Sequence, residues 1–140
     1  MPLQMRKYRP PRRRPRRRGS LTLELLLVLP ILLVMLVGLL EFSLLFYARG
    51  DVVEASRAGV RMATFPGIDE AAVENEVARS LSPRLRSRAR VETQLSDYPG
   101  EEVRVVVRVP MTAAAPDLLW MIGYSIQNRE LISESRMLRE

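Results

Sequence analysis

From Leu25 to Leu40, sixteen consecutive residues carry no charge, and the run is bracketed by Glu24 and Glu41. A chain of 140 residues has little interior in which to hide such a run. At a helical rise of about 1.5 Å per residue it covers about 24 Å, slightly less than a hydrocarbon slab of about 30 Å. Extended to Leu21 and Tyr47 it exceeds that thickness, at the cost of burying or half-burying both acids. The run therefore predicts a single membrane-crossing helix, and everything else in the chain has to be arranged around it.

The charge distribution orients that helix. Residues 1–19 hold Arg6, Lys7, Arg9, Arg12, Arg13, Arg14, Arg16, Arg17 and Arg18 with no acid, leaving 13 basic against 16 acidic residues in the rest. A basic cluster beside an apolar span stays on the cytoplasmic side, so the N-terminus is expected inside and the C-terminus outside. Poly-arginine also binds phosphate through counterion release. Here, however, only Tyr8 interleaves the tract and no nucleic-acid module follows it, so no nucleic-acid partner is expected.

The residue inventory narrows the chemistry. There is no cysteine and no histidine, so neither a disulfide framework nor a histidine-dependent nucleophilic triad is available. No acidic cluster has calcium-loop spacing. The expectation is a non-enzymatic protein without cofactor, metal or small-molecule substrate.

Within the span, the aromatic group Phe42, Phe46 and Tyr47 suits a membrane interface. Glu41 is accordingly expected at that boundary, its side chain reaching toward water. Glu24 follows Leu21 and Leu23 and is costly to bury, so it calls for a partner. Pro30 removes one backbone donor and predicts a kink or a looser turn, and Gly38 is a second weak point. The helix continues beyond the span, where Ala55, Gly59 and Ala63 recur every fourth residue. Such a small-residue stripe admits a close neighbour; packing on the chain's own domain and packing on another subunit are equally open. Glu54 reaches Arg57 across one turn, and Thr64 to Gly67 end the helix.

Roughly ninety residues remain for one small external domain. Asp69 is placed to cap a helix running to about Leu81, with Ile68 stapling onto Val73. Ser82-Pro83 stops it, and Arg84, Arg86, Arg88 and Arg90 read as a solvated loop and strand edge. Val91, Thr93 and Leu95 alternate with polar residues as one strand, and Val103, Val105, Val107 and Val109 form a second after a turn at Pro99-Gly100. Asp117 to Ile122 is a short apolar segment, read as a lid on the sheet in preference to a membrane- or partner-contacting patch. Two strands alone are marginal, so a third is expected between about Leu131 and Leu138.

The order of these features resembles the TadE-like family of pseudopilins of the tight-adherence (type IVc) pilus machinery. The shared pattern comprises an RRG-type leader, a glutamate five residues beyond the glycine, an LP pair in the apolar run and Glu41-Phe42. An ASRAGVR-like helix over Ala48 to Arg61, VRVVVRVP at 103–110 and SESRMLRE at 133–140 extend it. The resemblance implies cutting by a prepilin peptidase between Gly19 and Ser20, removing the arginine leader. The new amine at Ser20 of one subunit would then pair with Glu24 of another, and Glu24 and Glu41 are assigned to assembly. Leu25 stands where major pilins tend to carry an aromatic, and the domain is large, which points to a minor pseudopilin. Implied partners are the peptidase, other pilin or pseudopilin subunits and the inner-membrane assembly platform. The alternative is an uncleaved, single-pass anchored protein whose external domain binds an envelope partner.

The expected architecture is α+β and pilin-like. Residues 1–19 form a leader, 20–47 a transmembrane helix, 48–65 its continuation, and 66–140 an extracytoplasmic domain with a short helix and an antiparallel sheet of about three strands.

Overall fold

The computed structural model describes residues 18–139, with side chains from Thr22 onward. Its fold is α+β. Helix α1 runs Arg18–Ala63, followed by α2 (Glu70–Ser80), a single turn α3 (Pro83–Arg86) and strand β1 (Arg90–Gln94). Strand β2 (Glu102–Pro110), a short α4 (Met111–Ala114), a 3-10 turn (Leu119–Ile122) and strand β3 (Glu130–Leu138) complete the order. The chain divides into two compact units, residues 1–33 and 34–140.

In the first unit the described residues are helical throughout, and side chains 22–33 are all exposed. The helix runs unbroken through Pro30. From Thr22 onward α1 is long and apolar enough to cross a membrane. The second unit begins at Val34, so part of the apolar run belongs to it.

In the second unit the buried face of α1 is a stripe with helical spacing: Glu41, Leu45, Ala48, Val52, Ala55, Gly59 and Ala63. Most of these side chains are small, which lets the sheet and α2 come close. A Cβ added at Gly59 would lie 2.6 Å from Val77 Cγ2 and 3.2 Å from Val105 Cγ1. Ala55, Gly59 and Ala63 are all buried within the chain's own domain, Gly59 against Val77 of α2 and Val105 of β2. Helix α1 ends where Thr64 N–H and Thr64 Oγ1 both donate to the Arg61 carbonyl, at 3.3 Å and 2.8 Å.

Helix α2 starts as its sequence predicts. Asp69 accepts a hydrogen bond from the Ala72 N–H at 2.9 Å, satisfying one of the donors that a helix start leaves open. Val73 and Val77 face the core. Within the arginine-rich tract that follows, Leu85 is buried in α3 while Arg84, Arg86, Arg88 and Arg90 are exposed.

The sheet is an antiparallel meander in the order β1-β2-β3. Val103, Val105, Val107 and Val109 of β2 are all buried on its inner face. Opposite them on β3 stand Met137, Ser135, Ser133 and Leu131. Ser56 of α1, fully buried, meets that row: its Oγ lies 2.8 Å from Ser133 Oγ and 2.9 Å from Ser135 Oγ, and it donates to the Val53 carbonyl at 2.9 Å. A hydroxyl without such partners would be costly to bury; here three serines satisfy one another and lock β3 in register against α1.

On the outer face, ion pairs cover Val106. Arg104 reaches Glu134 at 2.7 Å, Arg108 reaches Glu92 at 3.1 Å, and Arg136 bridges Glu102 at 3.3 Å and also Glu134. The hydrogen bond from Arg136, helped by Arg104, holds the Glu134 carboxyl below its ordinary value against a smaller opposing effect of desolvation.

Two outcomes follow. Gly59→Ala must push against Val77, a stiff β-branched side chain, and overpacking of this kind costs about 1–3 kcal/mol. A lowered thermal midpoint of the full chain in detergent checks it; an unchanged midpoint contradicts the close approach. For Glu134, a depressed folded value means stabilisation that is complete above the unfolded carboxyl's range and is lost as pH falls through the depressed value. Glu134→Gln should therefore flatten the loss of stability on acidification, read from urea midpoints at neutral and acid pH.

Candidate functional site

Glu41 is the site's centre. It occupies the first position of the buried stripe on α1 and is 0% exposed. Its Oε2 accepts from the Leu118 N–H at 2.8 Å and the Leu119 N–H at 3.1 Å, where the 3-10 turn begins. These amides are donors that no turn of that length can satisfy internally. Charge-assisted bonds from a carboxylate to backbone N–H are among the stronger ones in a protein interior. The other oxygen, Oε1, is buried without a hydrogen-bond partner among the described residues.

The turn is fastened at further points. Leu119 is buried, its Cδ1 placed 3.7 Å from the position a Cβ would take on Gly38. Asp117 accepts from Ser125 Oγ at 2.7 Å and from the Ile126 N–H at 3.4 Å, closing the base of the loop over the fully buried Ile126. Gly123 takes a positive φ of 89°, which lets its N–H return to the Trp120 carbonyl at 3.1 Å. Beside the loop, the Phe42 and Tyr124 rings lie 5.6 Å apart, and the Arg129 guanidinium sits 5.2 Å from the Tyr124 centroid.

Two expectations are corrected here. Glu41 does not reach toward water at a membrane boundary; its carboxylate turns into the domain because the Leu118 and Leu119 amides offer it better-placed donors than an apolar flank would. The segment from Asp117 to Ile122 is not a lid on the sheet; it docks on α1 at Gly38 and Glu41. Sequence reasoning also missed Ser56. A signal for Glu41 was present, since extending the helical spacing of Ala48, Val52 and Ala55 backward lands on Leu45 and then Glu41.

The remaining sequence candidates are separate from this site. Glu24 lies on α1 in the first unit with an exposed side chain. Gly19 and Ser20 are helical in backbone, and Arg18 begins the helix. Arg12, Arg13, Arg14, Arg16 and Arg17 lie outside the described residues. Glu54 does reach Arg57, at 3.4 Å, on the exposed side of α1.

Residues 19–61 match the family model described as TadE-like protein. The match takes in Gly19, Glu24, Glu41 and most of α1, and stops before the sheet. No curated protein and no solved structure matches the chain.

Glu41→Leu would strand the buried Leu119 amide, at a cost of about 1–3 kcal/mol when left unpaired, and free the part-buried Leu118 amide. Faster hydrogen exchange at Leu118 and Leu119 and faster proteolysis between Ala115 and Tyr124 are the expected readouts. Glu41→Gln keeps one acceptor oxygen and should show a smaller change. Equal exchange in all three proteins would mean that the carboxylate does not hold the turn.

Proposed function

We propose, for a chain whose helix is TadE-like over residues 19–61, that it serves as a minor pseudopilin in the assembly of a tight-adherence (type IVc) pilus and secretion apparatus. The observation that carries this reading is Glu24, exposed on a membrane-type helix five residues beyond Gly19. A prepilin peptidase cuts between Gly19 and Ser20, which removes the arginine leader and exposes an ammonium group. Within a bundle of subunits in the membrane, that ammonium gives the Glu24 carboxylate of a neighbour a partner it otherwise lacks in a low-dielectric setting. The pairing sets the axial register between subunits. The chain performs no chemistry itself; the peptidase acts on it.

The leader holds the N-terminus on the cytoplasmic side of the inner membrane, and the sheet domain lies outside. With the Ala55, Gly59 and Ala63 stripe buried against its own α2 and β2, subunit contacts fall to the exposed apolar surface of α1. Pilin or pseudopilin subunits and the assembly platform are the partners on that surface.

The N-terminus of the protein recovered from membranes of peptidase-containing cells tests the reading. The expected mature chain begins at Ser20, and Gly19→Arg should retain the leader. Glu24→Leu should be processed normally yet lose co-purification with pilin subunits. A wild-type chain that keeps its arginines would instead be a fixed single-pass anchor for an envelope-binding domain.

A further inference from the structure

Three large apolar side chains stand exposed at the tip of the 3-10 turn: Trp120 at 62%, Met121 at 76% and Ile122 at 58%. The loop that presents them is fixed. Leu119 is seated beside Gly38, Glu41 holds the first two amides, and Asp117 closes the base. An ordered turn that displays a contiguous apolar cluster marks a contact surface.

The neighbours of the turn identify what covers it. It docks on α1 inside the apolar run, where Met35, Leu36, Leu39 and Leu40 are themselves exposed. Between Leu25 and Ala48 the only charged residue is Glu41, and its burial under the turn leaves the exposed surface of α1 uncharged as far as Arg49. Phe42, Phe46 and Tyr47 continue that surface, all exposed. Like Trp120, they are exposed aromatics of the kind enriched where acyl chains meet headgroups. Within the second unit, then, the turn joins the helix at its uncharged stretch, through Leu119 beside Gly38 and through Glu41.

We propose that the Leu118–Ile122 turn is a lipid-contacting wedge, inserted at the outer interface of the same bilayer that α1 crosses. The proposal rests on the membrane reading of α1 given above. The occupant is the boundary between phospholipid headgroups and acyl chains. By entering it beside the helix, the turn gives the domain a second point of attachment and fixes its depth in the bilayer. Glu41 acts as a positioning residue: it removes a charge from the helix surface and aims the turn.

Trp120 is the only tryptophan in the chain, so its emission reports on this site alone. The full chain is reconstituted in phosphatidylethanolamine–phosphatidylglycerol vesicles, and resistance to alkaline extraction is measured in the same preparation. Quenching by lipids brominated near the top of the acyl chain is then compared with quenching by aqueous iodide. The expected result is a blue shift relative to the urea-unfolded chain, loss of most emission to the brominated lipid, and iodide quenching several-fold weaker than in urea. A chain that resists extraction but loses its emission to iodide and not to brominated lipid would overturn the wedge and leave the membrane span standing. Shielding from both quenchers would also overturn it, placing protein over the turn. A chain released by alkali would remove the span and the wedge together.

Discussion

The second unit depends on how closely β2 and α2 approach α1. A helix with large residues along that face would hold the sheet away and leave β2 with four valines and no close partner. Small residues at Ala48, Ala55, Ser56, Gly59 and Ala63 close the distance until Val77 and Val105 sit against the Gly59 backbone. Close packing raises the stakes for any polar group inside it. Ser56 is tolerated because β3 brings Ser133 and Ser135 to it, and Glu41 because a distant loop brings two amides. The sheet's register and the loop's position are therefore set by polar groups that have no alternative to being satisfied in place.

Local chemistry explains which elements were legible in the sequence. Asp69 caps α2, and the valines of β2 alternate with Arg104 and Arg108 because one face of a strand is buried and the other wet. Such patterns depend on near neighbours in the chain. The third strand followed from a requirement, since two strands alone are marginal, and it lies at Glu130–Leu138.

Glu41 and the 3-10 turn were read differently because their partners are remote: 77 residues separate Glu41 from the amide it holds at Leu118. An acid at the end of an apolar run has two physical solutions, solvation at the boundary or burial against donors, and local sequence does not choose between them. The helical spacing does carry a hint, because Glu41 falls in line with Leu45, Ala48 and Val52. The small-residue stripe was ambiguous for the same reason: Ala55, Gly59 and Ala63 state that something approaches closely, and only the fold supplies α2 and β2 as that neighbour. Glu24 and Gly19 differ again, since the roles proposed for them rest on a family pattern and a second subunit.

The two acids that bracket the apolar run thus face opposite problems. Glu24 is exposed on a surface that a membrane would cover, where a charge calls for a partner. Glu41 finds both partners of its Oε2 within its own domain. That asymmetry separates the ends of the apolar run: on the pseudopilin reading the Glu24 end is the one that serves assembly, whereas Glu41 holds the Leu118–Leu119 turn of its own domain. A charge exposed at Glu41 would have interrupted the apolar surface between Leu40 and Phe42. Once the Leu118 and Leu119 amides turn it inward, that surface runs on to Tyr47 and takes in the tip of the turn. On the wedge proposal, the same two hydrogen bonds that hold the loop also set which face of the domain meets the bilayer.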